Sequence, residues 1–417
     1  MLSDGAKIPG ESPSLSLRYA TQGGFDARSA LIRLFAFVQR KRVVILKSDP
    51  RLCGEVLAAS DTKGTFLEHL FATPSWSPIY SIESVDGELW QQLARDFKTV
   101  MSQTSWRERL TPITQRYLAD SARKVDATVD AEEIARLTLR VLYEVLFEHS
   151  ISPADEILFY QASLEWRKEI AIKGRARPEI KQAFWTRLSQ IVSASSFKAG
   201  LQTYAADPAR WLSLFAQPFL ISPQINVGDI LVATFQFLRA DLELLARTRE
   251  WAQNGDKSRL GGVIQEAIRL KHPFPILERE LKKDTIFQGK SYAAHTQFFI
   301  LVDQFEQDPK FDPERWLAPA SQNPYSAMTF TAGPRMCVGK PIAMELLIEL
   351  LKSFLTQFPL EKIHPEIGHL YSGRDNDGKT TTRETMYQLR VFARGLWHSL
   401  LIGLGLKPRT GRCPFHP

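Results

Sequence analysis

Apolar residues recur at three- and four-residue intervals along most of the chain. This spacing predicts amphipathic helices. It occurs in five consecutive segments, residues 87–104, 106–124, 130–148, 154–173 and 178–193. A sixth segment, residues 224–253, carries Ile230, Leu231, Leu238 and Leu245 at the same spacing. We expect this sixth segment to be a long helix that crosses the centre of the molecule.

Short β-branched runs interrupt the helical pattern in two places. Residues 42–48 (RVVILKS) predict a strand, and residues 51–59 predict a helix after the turn at Asp49 and Pro50. Beyond Arg269, short runs divided by Pro, Gly and Asp predict small sheets and loops, until helical spacing resumes at residues 341–358. The expected fold class is therefore mainly α with small β-sheets.

Composition narrows the class of protein. The chain has 417 residues, a net charge of +7 and 44% hydrophobic residues, which excludes a disordered or fibrous protein. The basic residues form no block of five or six, so we expect no nucleic-acid partner. Neither a signal-peptide pattern at the start nor an early apolar run long enough for a membrane helix is apparent. We expect a cytoplasmic protein with no membrane anchor.

Three cysteines, Cys53, Cys337 and Cys413, are too few and too scattered for a disulfide framework. One of them lies in an informative segment, residues 330–339 (FTAGPRMCVG), directly before an apolar helix. Glycines allow tight bending around a sulfur, and the amides at a helix start stabilise a thiolate. Arg335 is placed to pair with a carboxylate. These features suit a thiolate metal site at Cys337, whereas Cys53 is expected to be a core residue.

This segment resembles the haem-binding loop of the cytochrome P-450 family, F-x-x-G-x-R-x-C-x-G. The resemblance implies a haem-thiolate enzyme with haem b (iron protoporphyrin IX), Cys337 as the iron ligand, and a haem-binding role for the other fixed positions, Phe330, Gly333, Arg335 and Gly339. It also implies a cytochrome P-450 fold with one haem-centred domain. We assign residues 1–395 to that catalytic domain and residues 396–417 to a C-terminal tail extension.

Further segments resemble the same family. Glu266 and Arg269 are three residues apart on a helix, hence on one face. The segment Phe311 to Trp316 resembles the family's F-x-P-E-R-F/W pattern, which implies that Arg315 joins Glu266 and Arg269 in a buried structural triad. Loss of one member would leave a buried charge without its partner.

The segment 272–279 (HPFPILER) looks like the family stretch in which an arginine meets a haem propionate. The resemblance implies that Arg279 is the second propionate partner, and we expect His272 to be a hydrogen-bonded loop residue. Pocket walls are expected from residues 66–80, Phe235 and residues 274–277.

A further haem contact is expected near the start of the helical region. Trp90 matches the family's W-x-x-x-R pattern, but Ala94 occupies the arginine position. Arg95 is rotated by roughly 100° on the helix and is not expected to reach haem.

The central-helix motif departs from the family pattern. Counting back from Arg249 and Glu250, the acid and alcohol that relay protons to oxygen should lie within residues 229–234, where the acid position is apolar. Thr234 or Gln236, with a water molecule, would have to replace the relay. Thr234 alternatively bonds only its own helix backbone.

We therefore expect an iron-dependent monooxygenase that oxidises an apolar or aromatic small molecule in secondary metabolism. It would use dioxygen and electrons from a ferredoxin- or flavodoxin-type partner, which a basic surface near Lys340 would contact. We expect a monomer. The atypical relay leaves a peroxide-dependent or reductant-free enzyme (peroxygenase, isomerase or dehydratase) as an alternative, and a non-catalytic haem sensor as another.

The C-terminal segment carries Trp397, Leu400, Leu401 and Leu404 at helical spacing, which predicts a short amphipathic element. Cys413 and His416 lie three residues apart, but two ligands are too few for a metal site. A docked tail is the expected role.

Overall fold

The computed structural model describes residues 27–64, 76–122, 130–170, 174–274, 276–302, 305, 308–358 and 382–406. The chain begins there with helix α1 (Ala27–Val38), strand β1 (Val43–Leu46) and helix α2 (Pro50–Ala59). The Leu52 amide donates a hydrogen bond of 2.9 Å to the Asp49 carboxylate, which caps α2. The predicted order of strand, turn and helix is confirmed. Cys53 is fully buried in the apolar cluster beneath α2, also as expected.

Five long helices follow in the positions that apolar spacing predicts. They are α3 (Gly87–Gln103), α4 (Trp106–Ala122), α5 (Ala131–Phe147), α6 (Pro153–Ile170) and α7 (Pro178–Ala194). Their inward faces form most of the main hydrophobic core. A short helix, α8 (Lys198–Thr203), then leads to the central helical region.

The central region differs from its prediction at both ends. It begins earlier, with α9 (Pro208–Phe215) and a π-helix (Ala216–Ile221), and continues as α10 (Ser222–Ala240). A new helix, α11 (Leu242–Gln253), starts after Asp241, whose carboxylate accepts a hydrogen bond from the Leu244 amide. The expectation of one helix over residues 224–253 is wrong because Asp241 caps a second helix within the apolar pattern.

Two prolines account for the π-helix. Pro218 and Pro223 have no backbone N–H, so neither residue can donate the i→i−4 hydrogen bond of an α-helix. The chain widens to i→i+5 pairing between them rather than breaking. The α9, π-helix and α10 segments thus form one nearly continuous rod.

Helix α12 (Lys257–Leu270) leads into the β region, which contains strands β2 (Ile276–Glu280), β3 (Thr285–Phe287), β4 (Lys290–Tyr292) and β5 (Gln297–Leu301). Strand β5 lies centrally in a three-stranded sheet, parallel to β1 with Val43 opposite Gln297 and antiparallel to β2 with Arg279 opposite Phe298. Strands β3 and β4 form a hairpin. Small sheets beside a mainly helical body confirm the predicted fold class.

The remaining described elements are a 3-10 turn (Pro313–Trp316), α13 (Ser326–Thr329), a second 3-10 turn (Gly333–Arg335), α14 (Lys340–Gln357) and α15 (Thr382–Gly403). The predicted boundary between catalytic domain and tail, after residue 395, falls inside α15. Trp397, Leu400 and Leu401 belong to this longer helix, and Leu404 follows directly after its end. Cys413 and His416 lie outside the described residues.

Candidate functional site

The Cys337 thiol is both accessible and desolvated. Its side chain has exposed surface, yet surrounding protein desolvates the sulfur strongly enough to raise its pKa to about 11. A sulfur that lies in a recess between packed segments combines these two properties. The amides of Gly339 and Lys340, at the start of α14, act on the sulfur in the opposite direction and lower its pKa, whereas the nearby Glu83 carboxylate raises it.

The bend before Cys337 depends on one glycine. Gly333 has a φ of +67°, and a Cβ there would lie 2.6 Å from the Cα of Ala58 on α2. Gly339 differs, because an added Cβ would meet Cys337 Sγ at an ordinary 3.9 Å. The Cys337 amide donates to the Phe330 carbonyl at 2.9 Å, which closes the loop. Among the loop glycines, Gly333 is therefore the one that close packing requires.

Arg335 holds the segment that precedes α3. Its guanidinium forms a 2.7 Å ion pair with Asp86 and donates to the Val85 carbonyl at 2.9 Å. It also lies over the indole of Trp90, 4.8 Å from the ring centroid. The carboxylate that Arg335 meets in this structure thus comes from Asp86, a residue that the sequence interpretation did not select. The exposed side chain of Arg95 lies on another side of α3.

Arg279 is buried with part of its hydrogen-bonding capacity unused. Its Nη1 donates to the Glu278 carbonyl at 2.8 Å, and Nη2 has no hydrogen-bond partner. Burial, followed by the charge of Arg335, lowers the pKa of Arg279 to about 10. A buried guanidinium with an unused N–H group beside a second cation is a suitable place for an anionic ligand group.

The Glu266 carboxylate is fully buried and accepts hydrogen bonds on both oxygens. Oε1 accepts from Arg269 at 2.6 Å and from Arg315 at 3.1 Å, and Oε2 accepts from Arg269 at 2.8 Å and from the Trp316 indole at 2.8 Å. The Asp312 amide adds a bond of 2.9 Å. The structure therefore brings together the three side chains that the sequence grouped as a structural triad.

Thr234 lies away from Cys337. It has no exposed surface, and its hydroxyl donates to the Ile230 carbonyl at 2.7 Å. The adjacent Phe235 packs edge-to-face on Phe354, which lies about 20 Å along α14 from its start beside Cys337. The Thr234 hydroxyl thus bonds its own helix backbone, the alternative role that the sequence left open, and Phe235 packs on α14.

Gln236 is also engaged elsewhere, because its side-chain oxygen accepts a hydrogen bond of 3.0 Å from Lys271 at the end of α12. The π-helix instead carries a residue that contacts a neighbour of Cys337. Its Gln217 is 2% exposed, and its Oε1 has no hydrogen-bond partner. Gln217 lies next to Glu83, the acid whose charge acts on Cys337. Sequence interpretation missed both residues, although Pro218 and Pro223 signalled an irregular helix.

The pKa of Glu83 is raised. Burial has the largest effect, and it outweighs the opposing charges of Lys63, Arg167 and Arg335 and the hydrogen bond from Gln217. Glu83 is thus an acid that holds its proton more tightly than a solvated carboxyl group does. It lies within electrostatic reach of the Cys337 sulfur.

Other residues that the sequence singled out make hydrogen bonds or packing contacts within the protein. His272 is buried, accepts a hydrogen bond from the Phe274 amide and lies 3.2 Å from the Thr329 carbonyl, so its expected loop role is confirmed. Lys340 lies over the Phe330 ring at 5.6 Å. Leu277, an expected pocket wall, is buried in the cluster around Cys53. Residues 65–75 and Pro275 of the other expected walls lie outside the described residues.

Comparison with known proteins shows which family the chain resembles. The family model described as Cytochrome P450 matches residues 259–369. This part of the chain is similar to the cytochrome P450 family. It is similar to Cytochrome P450 4d2 of Drosophila melanogaster, with 34% identity over 28% of this chain and 25% of that protein. It is also similar to the mitochondrial sterol 26-hydroxylase of Homo sapiens, with 32% identity over 27% of this chain and 24% of that protein. The chain therefore spans about a quarter of the length of these relatives.

Solved structures extend the cytochrome P450 likeness to the fold of most of the chain. A 6-coordinated cytochrome P450 from Thermus thermophilus matches 79% of this chain and 90% of its own length, with a TM-score of 0.57 and 18% identity. A zebrafish cytochrome P450 matches 78% and 90%, with a TM-score of 0.56 and 14% identity. The predicted cytochrome P450 fold is confirmed.

The residues around Cys337 fit haem, the group that cytochrome P450 proteins carry. The sulfur is accessible, and two helix-start amides are directed at it. The unused Nη2 of Arg279 suits a propionate carboxylate. Within the described ranges, no helix has the length and apolar composition to cross a membrane. The same ranges hold no cluster of three or more His, Cys, Asp or Glu residues suited to a metal ion.

Proposed function

We propose that the protein is a haem-thiolate monooxygenase that oxidises an apolar or aromatic small molecule. The observation that supports this most directly is the Cys337 thiol, which is accessible yet desolvated and lies at the start of α14. Such a position favours a thiolate iron ligand because the helix-start amides stabilise negative charge on sulfur. When bound there, haem supplies one-electron and dioxygen chemistry that protein side chains lack.

In this proposal Arg279 binds a haem propionate. Its unused Nη2 and its lowered pKa both favour an added carboxylate, which would relieve the repulsion from Arg335. Arg335 and Trp90 act together, because the cation over the indole fixes the loop before α3 against the haem edge. Phe330 closes the cysteine loop, Gly333 lets the loop pack closely on α2, and Gly339 lies beside the Cys337 sulfur.

We assign proton delivery to Glu83 and Gln217 rather than to Thr234 or Gln236. A relay requires a group that holds a proton near neutral pH within reach of the reacting centre. Burial shifts the pKa of Glu83 upward, in the direction of the first requirement, and the influence of Glu83 on Cys337 supports the second. Gln217 would orient the carboxyl group and use its unpaired oxygen to hold a water molecule. Thr234 remains only the alternative that the sequence suggested.

The electron source, compartment and pathway form the finer part of the proposal. We propose a ferredoxin- or flavodoxin-type donor, a monomeric enzyme in the cytoplasm, and a substrate from secondary metabolism. Lys340 supports the donor contact, since it lies beside the cysteine loop and carries positive charge. Its partial burial over Phe330 limits this contact to the outer part of the side chain.

A peroxide-dependent or reductant-free reaction is the second function that an observation favours. The π-helix (AQPFLI) offers neither an acid nor a hydroxyl group from the central rod, so proton delivery depends on another element. Hydrogen peroxide supplies both oxygen atoms, two electrons and two protons in one molecule, which lessens the need for proton delivery by the protein. Assays with reductant and dioxygen, with peroxide alone, and with neither distinguish the two enzymes. A haem protein inactive in all three would indicate the sensor alternative.

A further inference from the structure

Helix α15 packs through one face and leaves an unusual face in solvent. The packed face contacts α1, where the Gln39 side-chain amide donates to the Ser399 hydroxyl at 2.9 Å. Gly403 lies against the Val38 carbonyl so closely that any side chain would collide with it. These contacts fix the rotation of α15 about its axis.

The outward face of α15 is apolar from Met386 to Leu400, and Leu404 follows just beyond the end of the helix. At about 100° per residue, its exposed apolar side chains fall within an arc of roughly 100°. They are Met386, Leu389, Leu396, Trp397, Leu400 and Leu404. Trp397 is 64% exposed and Leu404 is 67% exposed. An outward helix face normally carries polar residues, so this apolar stripe requires a partner.

Positive charge follows one edge of the apolar stripe. Arg383, Arg390 and Arg394 are all exposed, and helical spacing places them in a narrow arc beside Trp397. The only acid in α15, Glu384, is buried. The neighbouring helix α1 adds the exposed Phe37. The outward face thus combines apolar insertion residues, a tryptophan and arginines, with no exposed acid on the same helix.

We propose that α15 lies in the plane of an anionic lipid surface, with the apolar stripe inserted and the three arginines against the headgroup phosphates. This combination defines an interfacial helix, which lies on a bilayer without crossing it. The charge pattern selects a lipid surface over a second copy of the chain. In a symmetric contact between two copies, the same helix face would meet itself. The arginines of one α15 would then find no exposed acid on the other α15 with which to pair. The inference is independent of the proposed reaction.

The test uses the haem-loaded full chain and co-sedimentation with vesicles. We expect binding to vesicles that contain phosphatidylglycerol, weaker binding to pure phosphatidylcholine, and release as salt is raised. Trp397→Asp combined with Leu400→Asp should weaken binding about tenfold or more. Each of Arg390→Gln and Arg394→Gln should weaken binding to anionic vesicles roughly fivefold, with little effect on pure phosphatidylcholine.

Leu242→Asp is the matched control, because Leu242 is 74% exposed on α11, outside this surface. It should leave vesicle binding unchanged. Absence of binding to anionic vesicles at low salt would overturn the proposal, and so would equal loss in Leu242→Asp. Size-exclusion chromatography with light scattering tests whether a second copy of the chain binds this face instead. If the protein does not bind vesicles and forms a dimer that Trp397→Asp dissociates, the partner of α15 is a second copy and not lipid. Retention of the Soret band in every variant shows that the haem site is intact.

Discussion

The guanidinium groups of Arg279 and Arg335 lie close enough for each positive charge to disfavour the other. Burial and the charge of Arg335 together hold the pKa of Arg279 near 10. Arg335 has the Asp86 carboxylate as a partner at 2.7 Å, whereas Nη2 of Arg279 has none. The chain thus keeps a partly unpaired buried cation that is stabilised only when an anion arrives.

We expect Arg279→Gln to weaken haem binding by about tenfold to a hundredfold, because a charged hydrogen bond to a buried group contributes about 1.5–3 kcal/mol. The same change should leave the haem-free protein as stable as before, or more stable, since it removes an incompletely paired charge. Haem titration followed by absorbance measures the first effect, and urea unfolding of the haem-free protein measures the second. Arg279→Lys is the control that keeps the charge. Equal haem affinity in all three proteins would contradict the assignment.

The pH dependence of the haem-free protein should follow from Arg279. Its folded pKa lies below the unfolded value, so between the two the unfolded chain binds more protons and stability rises with pH. The destabilisation is therefore complete below pH 10 and decreases as pH rises through about 10. Comparing urea unfolding of the native chain and Arg279→Gln from pH 8 to about 10.5 isolates this contribution, because all other groups are shared. A constant difference over that range would be inconsistent with a lowered pKa.

Cys337→Ala should abolish the red-shifted Soret band of the ferrous carbon monoxide form, because that band requires a thiolate ligand. Cys53→Ala is the matched control, since Cys53 is fully buried on α2 and packs in a separate apolar cluster. It should cost stability and leave the spectrum unchanged. If Cys337→Ala keeps the native spectrum, Cys337 is not the ligand.

Glu266→Ala should prevent recovery of a folded, haem-loaded protein. Removal of this carboxylate leaves Arg269 buried without its acid, and breaking a buried pair costs about 3–5 kcal/mol. Arg247→Ala removes an exposed pair with Glu314 and should change stability by less than about 1 kcal/mol. Soluble yield, haem content and thermal unfolding compare the two. A soluble, haem-loaded Glu266→Ala protein would contradict a structural role for the triad.

Glu83→Gln and Gln217→Leu should uncouple reductant consumption from product formation if these residues deliver protons. We expect product per reductant to fall about tenfold or more, while peroxide-driven turnover falls less. Thr234→Val should keep the native coupling, because its hydroxyl serves its own helix. Glu88→Gln, on the exposed first turn of α3, is the charge control. Coupling lost in Thr234→Val and kept in Gln217→Leu would return the relay to the position that the sequence suggested.

Local pattern predicted most of the fold. The helices from residue 87 to residue 194 follow from apolar spacing because each buries one face, and the turn at Asp49 and Pro50 follows from capping chemistry. The same pattern failed at Asp241, where apolar spacing continued through a helix boundary. It also failed at the π-helix, because Pro218 and Pro223 shift the register in a way that helical spacing does not encode.

Contacts between distant segments explain which site residues the sequence did not reveal. The loop motif identified Cys337 and Arg335, since their spacing is local. Nothing in that spacing indicates that Asp86 would neutralise Arg335, or that Glu83 would lie beside Gln217, because these pairs join distant segments. The count back from Arg249 that selected Thr234 also assumed an uninterrupted helix, whereas Asp241 begins a new one.

The position of β5 between β1 and β2 also has a consequence during synthesis. Strand β1 emerges from the ribosome early, but the strand that pairs with it, β5, follows more than half the chain later. At cellular elongation rates the nascent chain carries an unpaired edge strand for a time on the order of tens of seconds. Completion of the first sheet is therefore a late event, and nascent chains that stall before β5 should depend on chaperones to remain soluble.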